Sequence, residues 1–523
     1  MNFPYPSQRT PVLADNVLAT AQPLAAQAGL QMLQNGGNAV DAALAAAITL
    51  TVVEPTGNGI GSDAFALIWD GRVLHGLNGS GKSPAGWSPD QFAGRTSVPE
   101  LGWDPVTVPG AVDAWATLSG RFGVLPFATL FEPAIRYAKE GFVVTPVIAS
   151  LWSDAVQRYK GFAEFGSVFL PNGIAPAVGE RFVCLQQAKT LAEIAANGGR
   201  AFYEGEIAEK IAAHAAATGG KLTLEDLAGH RSQWVQPISC DYQGITLHEI
   251  PPNGQGMVAL IALGLLEHHN LKRYPMDSAD SIHLQVEALK IAFAEASCHI
   301  ADPGTMTLQP QDLLDKSYLR KRSTEIRMDQ AQFPQASLSV EKGTVYLAAA
   351  DKNGMMVSYI QSNYLGFGSG IVVPGTGISL HNRGLGFCLA NGHPNCVAGG
   401  KRPFHTIIPG FVTRDGQPAL SFGVMGAHMQ PQGHVQMVVR IFDYGLNPQA
   451  ASDAPRWCLT EDMQLALEDG FGEDIAADLA IRGHRIMKDP PTKLFGGAQL
   501  ILKTEAGFCA ASDHRKDGQA VGF

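Results

Sequence analysis

The pattern of hydrophobic and polar positions divides the chain into a helix-rich first part and a strand-rich last part. Alanine-rich or helically spaced apolar residues predict helices in three regions, 15–53, 108–220 and 255–300. The first region is interrupted at Asn35-Gly36-Gly37-Asn38, where Asn38 is a suitable N-cap for a second helix. A strand is predicted over Ala64–Trp69, closed by an Asp70-Gly71 turn.

The pattern changes at Thr344, after which β-type residues dominate. Residues 222–250 predict a turn and a strand, and the polar, weakly patterned stretch 303–342 predicts a loop or linker. The last part alternates predicted strands with predicted helices: strands Ala419–Gly423 and Gly497–Thr504, helices near 431–442 and 472–482. Strands and helices mixed in both parts predict an α+β fold.

Composition narrows the class of protein. The chain has 523 residues, 46% of them hydrophobic, which excludes a disordered chain. Its net charge is −10 and no basic cluster is present, so no nucleic-acid partner is predicted. The Gly-rich loop at 54–71 lacks the spacing of a phosphate-binding motif, and we expect no cofactor.

The sequence predicts a protein of the cytoplasm. The amino terminus has no charged start followed by an apolar run, and the longest nearly apolar run, Ala42–Val53, is shorter than the roughly 20 residues that span a bilayer. No membrane association is therefore expected. The seven cysteines form neither paired spacings nor a zinc pattern, so we expect no disulfide framework and no metal. A small molecule is the expected substrate.

One hairpin brings two hydroxyls together. Asn353-Gly354 suits a three-residue turn that pairs Asp351 with Met355. Counting outward along the antiparallel ladder places Thr344 opposite Ser362, on one face of the sheet. An ordinary Thr/Ser cross-strand pair would have the same register, so the hairpin alone leaves the role of these hydroxyls open.

The segment EKGTVYLAAADKNGMMVSYIQSNYLGFGSGIVVPGTGISLHNRG resembles the start of the small subunit in the gamma-glutamyltransferase family. These are self-cleaving N-terminal-nucleophile (Ntn) hydrolases. The resemblance extends along nearly the whole chain, through NGGNAVDAALAAA, VPGAVDAW, LTLEDLAGHRSQWVQPISCDYQGITLHEIPPNGQG, KRPFHTIIP and ASDHRKDG.

The resemblance implies a four-layer αββα sandwich made by a precursor that cuts itself between Gly343 and Thr344. The fragments 1–343 and 344–523 would intertwine as one heterodimeric unit, and two such units could associate. The cut gives Thr344 a free α-amine with a pKa of about 7.7–8.0, which can accept the proton of its own hydroxyl. Thr344 would thus be both nucleophile and base.

The family pattern also assigns partners to the nucleophile. A hydroxyl residue eighteen positions on, here Ser362, would hydrogen-bond Thr344. Backbone N–H groups of a Gly-rich turn would bind the oxyanion, and the matching positions are Gly426 and Ala427. Family members commonly have glycine at both, so Ala427 is a small departure, which backbone donors tolerate if the dihedral angles allow.

Larger departures concern the substrate. The position of the arginine that grips a γ-glutamyl carboxylate is Ser80, and that of the acidic partner of the ammonium group is Gly386. An expected Asn is Tyr364, and an expected Ser pair is His405-Thr406. Since this clamp contributes charge-assisted hydrogen bonds, its absence argues against plain γ-glutamyl transfer.

The remaining pocket residues are Arg383, Tyr364, His405, Thr406 and Ser80. The chain resembles the family members that hydrolyse oxamate, and we expect Arg383 to bind the carboxylate of oxamate while Thr344 attacks its amide; Arg383 could instead pair with a structural carboxylate. Three alternatives stay open: a γ-glutamyl hydrolase or transferase, a glutaryl-type β-lactam acylase, and an unprocessed, non-catalytic scaffold.

Overall fold

The computed structural model describes residues 8–334 and 343–523. The described strands run in chain order as follows: β1 Val12–Ala14, β2 Val17–Thr20, β3 Asp63–Trp69, β4 Leu74–Gly79, β5 Phe142–Val143, β6 Arg181–Phe182, β7 Gln233–Val235, β8 Ile238–Tyr242, β9 Ile245–Glu249, β10 Val345–Ala350, β11 Met356–Ser362, β12 Val372–Val373, β13 Ile378–Ser379, β14 Gly410–Arg414, β15 Gln417–Met425, β16 Trp457–Leu459, β17 Gln464–Leu467, β18 Arg485–Ile486, β19 Gly497–Lys503, β20 Phe508–Ser512 and β21 Gln519–Gly522.

The helices are α1 Pro23–Gln34, α2 Ala39–Val53, α3 Ala111–Phe122, α4 Glu132–Glu140, α5 Pro146–Arg158, α6 Ala163–Phe169, α7 Leu185–Ala196, α8 Ala201–Glu204, α9 Glu206–Thr218, α10 Leu224–Ala228, α11 Gly256–Leu266, α12 Ala279–His299, α13 Pro310–Leu313, α14 Lys316–Ser323, α15 Met429–Val438, α16 Pro448–Asp453 and α17 Glu473–Ile481. Among the described residues no helix is long and apolar enough to cross a bilayer.

Two seven-stranded antiparallel sheets form the middle of the molecule. One has the order β21-β2-β10-β11-β3-β4-β7, and the other has the order β1-β20-β19-β15-β14-β9-β8. An apolar layer that includes Phe65, Tyr346, Phe411 and Ile501 lies between their inner faces. Helices cover both outer faces, α1, α2 and α3 on the first sheet and α11, α12 and α15 on the second. The predicted α+β fold with four αββα layers is confirmed.

Helix α2 is buried along its whole length beneath the first sheet. Its alanines allow close packing: a Cβ atom on Gly29 of α1 would lie 2.8 Å from the carbonyl oxygen of Ala42. The predicted cap is confirmed, because the Asn38 side chain accepts hydrogen bonds from the N–H groups of Val40 and Asp41 at 3.0 Å. The helix ends at Val53, where the Gly-rich loop that leads to the first residue of β3 begins.

The helical interpretation of residues 15–53 is wrong at its start, where β2 occupies Val17–Thr20, just after β1 Val12–Ala14. These strands pair with β20, β10 and β21, and such pairing over more than 300 residues leaves no local signal. The predicted linker 303–342 contains the short helices α13 and α14, and its residues 335–342 lie outside the described chain. The tail strands and helices are confirmed within a few residues.

Candidate active site

The β10–β11 hairpin has the predicted register. Val345 pairs with Gln361 and Ala350 with Met356, and the turn closes through Gly354 N–H to the Asp351 carbonyl at 2.8 Å. One step beyond the ladder, Thr344 Oγ1 lies 3.2 Å from Ser362 Oγ. The predicted Thr344–Ser362 contact is therefore confirmed.

Thr344 is almost buried, 6% exposed, beneath the Gly-rich loop that follows α2. A Cβ atom placed on Gly57 would come within 3.2 Å of Thr344 N. Glycine at this position lets the loop backbone pack directly over the backbone nitrogen of Thr344, which would become the free amine after the predicted cut.

Ser362 Oγ is the centre of a hydrogen-bond network. It donates to the carbonyl oxygen of Gly343 at 2.5 Å, and it accepts from Tyr364 N–H at 2.7 Å and from an Arg383 Nη at 3.0 Å. A hydroxyl has one proton and two lone pairs. Because Tyr364 N–H, an Arg383 Nη and, at 3.2 Å, Thr344 Oγ1 all donate toward the Ser362 oxygen, its single proton is directed at the Gly343 carbonyl. That carbonyl belongs to the Gly343–Thr344 peptide bond, which the sequence predicts to be cut.

Tyr364 owes its place to an unusual backbone conformation. Its φ is +78°, in the left-handed region that non-glycine residues seldom adopt. That conformation aims its N–H at Ser362, while its ring lies beneath the Arg383 guanidinium, 4.3 Å from Cζ to ring centroid. Tyr364 therefore contacts both the hydroxyl and the cation.

Arg383 is fully buried. Its two Nη atoms donate to the hydroxyls of Thr406, at 2.8 Å, and Ser362. Within residues 8–334 and 343–523 it forms no ion pair and its Nε has no hydrogen-bond partner. Burial lowers the pKa of the guanidinium to about 10, an effect that Asp63 opposes. A buried cation paired only with hydroxyls is costly unless an anion joins it.

The structure separates the other predicted pocket residues. Thr406 contacts Arg383 directly, but the His405 ring points the other way, with Nε2 3.1 Å from an Asp63 carboxylate oxygen. Ser80 Oγ donates to Asn78 at 2.7 Å, and its carbonyl accepts from Arg402 Nε at 2.9 Å. Ser80 and His405 therefore lie behind the site and do not contact the Arg383 guanidinium.

Gly426 and Ala427 form the turn between β15 and α15, with φ of +121° and +50°. In the described part of the chain neither N–H has an acceptor. The Gln255 amide donates to the carbonyls of Ala427, at 2.9 Å, and Thr406, so it fixes this turn beside the residue that holds Arg383. Ala427 also packs against Tyr364.

A cavity of about 270 Å³ opens beside Tyr364. Its walls are mainly apolar and aromatic, and they include Phe293, Phe387, Phe404 and His428. Gly386 also lines it, and a Cβ atom there would lie 2.1 Å from the Phe404 carbonyl oxygen. No acidic side chain fits at 386 without moving that backbone.

One buried cluster outside this site has metal-ligand residue types, His283, Glu287 and His484. The Lys290 ammonium already lies 2.8 Å from Glu287, and His283 bonds both His484 Nε2, at 2.8 Å, and the Arg327 carbonyl, at 2.7 Å. These contacts satisfy the groups as a hydrogen-bonded cluster. His428 and His434 lie in separate surroundings, His428 in the cavity wall and His434 on Glu249 at 2.6 Å.

The geometry is that of an Ntn hydrolase, with a threonine and its hydroxyl partner at the start of a hairpin between two stacked sheets. The Gamma-glutamyltranspeptidase family model matches residues 25–523, and the chain belongs to that family. It is a hydrolase of the self-processing Ntn type.

Relatives cover almost the entire chain. It is 36% identical to the glutathione hydrolase-like YwrD proenzyme of Bacillus subtilis, over 96% of this chain and 97% of that protein. It is 34% identical to the oxamate amidohydrolase proenzyme of Klebsiella pneumoniae, over 96% and 97%. The solved structure of cephalosporin acylase from Bacillus halodurans is 48% identical, with a TM-score of 0.96 over 100% of this chain and 98% of that chain.

Sequence reasoning missed two members of the network. Gln255 lies in the segment ending PPNGQG, whose resemblance to the family assigned it no role; its hydrogen bonds to the Ala427 and Thr406 carbonyls are evident only in the structure. Asp63 stands in the Gly-rich stretch at the start of β3, where it pairs with Ser362. The sequence did not show that β3 lies next to β11, and Asp63 was missed for that reason. Once this neighbour is known, the register that places Thr344 opposite Ser362 extends to Asp63.

Proposed function

We propose that this chain is a self-cleaving N-terminal-threonine amidohydrolase that hydrolyses monoamides of dicarboxylic acids without an α-amino group. The observation that carries the proposal is Arg383, a buried cation without an ion pair in the described chain, which shares the Ser362 hydroxyl with Thr344. A substrate carboxylate at Arg383 would place an amide carbonyl near Thr344 Oγ1. Oxamate, the monoamide of oxalate, is the shortest member of this class.

Self-cleavage would begin at the Gly343 carbonyl. Thr344 Oγ1 attacks the carbonyl carbon while the Ser362 hydroxyl polarises its oxygen. The C–N bond breaks as the C–O bond forms, so the acyl group moves from nitrogen to oxygen and the Thr344 amine takes up the proton. Water then hydrolyses the ester and yields fragments 1–343 and 344–523, joined as a heterodimer.

Turnover would reuse the same atoms. The freed α-amine accepts the Thr344 hydroxyl proton as Oγ1 attacks the substrate amide, and the N–H groups of Gly426 and Ala427 stabilise the oxyanion. The leaving amine, ammonia in the case of oxamate, departs with that proton. With Gly343 gone, the Ser362 proton becomes available to Thr344. Water hydrolyses the acyl-enzyme to the dicarboxylate.

The cavity favours a second candidate within the class, an acylase for a dicarboxylic acyl group on a bulky amine. Its volume of about 270 Å³ exceeds the needs of oxamate, and its aromatic walls suit a ring-bearing amine. Similarity to a cephalosporin acylase supports this candidate. Specificity for γ-glutamyl groups is disfavoured, because Gly386 cannot carry an acid and Ser80 faces away.

The test is to measure intact mass and N-terminal sequence of purified protein at neutral pH, then hydrolysis of oxamate, glutaryl-p-nitroanilide and γ-glutamyl-p-nitroanilide. We expect a fragment beginning Thr-Val-Tyr-Leu and activity on oxamate or the glutaryl amide. An uncleaved, inactive chain would favour the scaffold alternative. A preference for the γ-glutamyl amide would refute the proposed substrate class.

A further inference from the structure

Asp63 extends the row of residues that contains the nucleophile. It is the first residue of β3 and pairs directly with Ser362 of β11, which itself lies opposite Thr344. Directly opposed residues share one face of a sheet. Thr344, Ser362 and Asp63 therefore form one row across three neighbouring strands, and the Asp63 carboxylate is fully buried behind the site.

The polar groups next to this carboxylate among residues 8–334 and 343–523 are all hydrogen-bond donors, or lie within reach as donors. Oδ1 accepts from the N–H groups of Gly110, at 3.0 Å, and Gly81, at 3.3 Å. Oδ2 lies 3.1 Å from His405 Nε2. The Nδ1 atom of His405 accepts from Ile407 N–H at 3.4 Å, which leaves the ring proton on Nε2, facing Asp63. An all-donor environment stabilises the ionised carboxylate.

His381 connects Asp63 to Arg383. Its Nδ1 accepts from the backbone N–H of Arg383 at 3.0 Å, and its Nε2 lies 3.6 Å from Asp63 Oδ1. Asp63 and Arg383 are thus a buried anion and cation in one cluster, although they do not touch. Without substrate their charges offset each other.

We propose that Asp63 is a specificity-determining residue: by setting the charge around Arg383, it couples the binding of an anionic acyl group to proton uptake at its carboxylate. This inference rests on the proposed function. A bound carboxylate adds a second negative charge beside Arg383, so Asp63 protonates more readily in the complex. Conversely, protonated Asp63 leaves Arg383 free to attract the anion.

Of Asp63 and the titratable side chains described around it, Asp63 is the one whose pKa lies near neutral pH. Burial raises the pKa of Asp63 to about 7, while Arg383 and Arg402 act to lower it. Burial, with Arg383, holds the pKa of His381 at about 3 and that of His405 well below its usual range. His230, whose pKa burial lowers to about 4, and Tyr203, whose pKa burial raises, are also neutral there.

The sign of the pH effect follows. Below the pKa of Asp63 the anionic substrate meets an uncompensated Arg383, and its KM is low. Above it the ionised Asp63 offsets Arg383, and the KM rises. One coupled proton allows a rise of up to about tenfold per pH unit. The Thr344 amine also loses its positive charge in this range, which weakens anion binding too, so the comparison with Asp63→Asn isolates the part that Asp63 contributes.

The experiment therefore compares matched substrates that differ only in charge: oxamate with oxamide, or glutaryl-p-nitroanilide with its terminal amide. The KM ratio of anionic to neutral substrate is measured from pH 5.5 to 9. We expect this ratio to rise at least about fivefold with pH in the wild-type enzyme. In Asp63→Asn the rise should be much smaller, because only the Thr344 amine then changes charge. Asp70→Asn, beyond the far end of β3, is the control and should keep the rise.

A flat ratio in the wild-type enzyme, or an unchanged rise in Asp63→Asn, overturns the inference. A second uncharged variant, Asp63→Ser, replaces Asp63→Asn if that variant does not fold or cleave. An enzyme that never prefers the anionic substrate contradicts the proposed function, whereas a preference that is independent of pH contradicts only the role of Asp63.

Discussion

The hydroxyl of Ser362 donates to the carbonyl oxygen of Gly343 at 2.5 Å, and Ser362 is fully buried. In the proposed mechanism this arrangement would involve Ser362 in processing as well as in turnover. Before the cut its proton would polarise the bond under attack, and afterwards the same proton would be available to Thr344. A single hydroxyl can thus serve two reactions in succession.

Ser362→Ala should slow self-cleavage by about 10²–10³-fold, since it removes one preorganised donor to the developing oxyanion. The time course of fragment appearance on denaturing gels, confirmed by mass, measures this rate. Ser362→Thr keeps the hydroxyl and should retain most of the rate. Cleavage of Ser362→Ala at the wild-type rate would exclude Ser362 from processing.

Arg383→Ala should impair both reactions. The guanidinium is expected to bind the substrate carboxylate, and it also donates to Ser362 and so orients its proton. Loss of a charge-assisted hydrogen bond of about 1.5–3 kcal/mol predicts a KM for the carboxylate amide roughly 10–150-fold higher. Stopped cleavage assays give the processing rate. If the variant had a normal processing rate and a normal KM, Arg383 would have no role in either reaction.

Gly343→Ala should slow cleavage by about tenfold or more, because overpacking typically costs about 1–3 kcal/mol. The added Cβ atom would lie 2.5 Å from Gly366 N and 2.8 Å from the Tyr364 carbonyl oxygen, both backbone atoms. The control is Gly161→Ala, whose Cβ would meet nothing within 4 Å. Equal cleavage rates in the two variants would show that the scissile backbone can relax.

Asp513→Asn should lower the free energy of unfolding by about 3–5 kcal/mol at pH 7, because it leaves the buried Arg456 without its partner. Burial alone would raise the pKa of Asp513, but Arg456 and Arg515 hold it well below its usual range. Its contribution is therefore present above an unfolded pKa of about 3.9 and disappears as the pH falls through the folded value.

Urea denaturation of Asp513→Asn in an uncleaved Thr344→Ala background, at pH 7 and in acid, measures both effects. Asp329→Asn, at an exposed pair with Arg327, serves as the control and should change stability by less than about 1 kcal/mol. A difference between Asp513→Asn and its parent that persists unchanged into acid would contradict the assigned charge pair.

Local patterns predicted the elements whose signals are local. The cap at Asn38 and the register of the Thr344 hairpin follow from spacing alone, and the structure has both. Strand β2 could not be predicted in this way. It is formed by hydrogen bonds to β10 and β21, which lie hundreds of residues later in the chain. Its residues Val17–Thr20 have no helical or strand signal strong enough to compete with the alanine-rich sequence that follows.

The candidate site likewise contains residues whose position the sequence predicted and residues whose position it did not. Thr344, Ser362 and Arg383 were predicted and lie in contact, since two share a hairpin and the third follows nearby in the chain. His405 and Ser80 were predicted for the pocket but lie behind it, because side-chain direction in a loop depends on what packs around it. Asp63 became visible only when the strand next to β11 was known.

The order of strands in the first sheet places β10 and β11 between β2 and β3. A cut before Thr344 would turn one molecule into two that share continuous ladders, and complete unfolding would then release separate chains. Mass action makes the stability of such a pair depend on concentration. The melting temperature of cleaved protein should rise on concentrating the sample, whereas that of uncleaved Thr344→Ala should stay constant; processing would thus make a dilution-sensitive enzyme from a dilution-insensitive precursor.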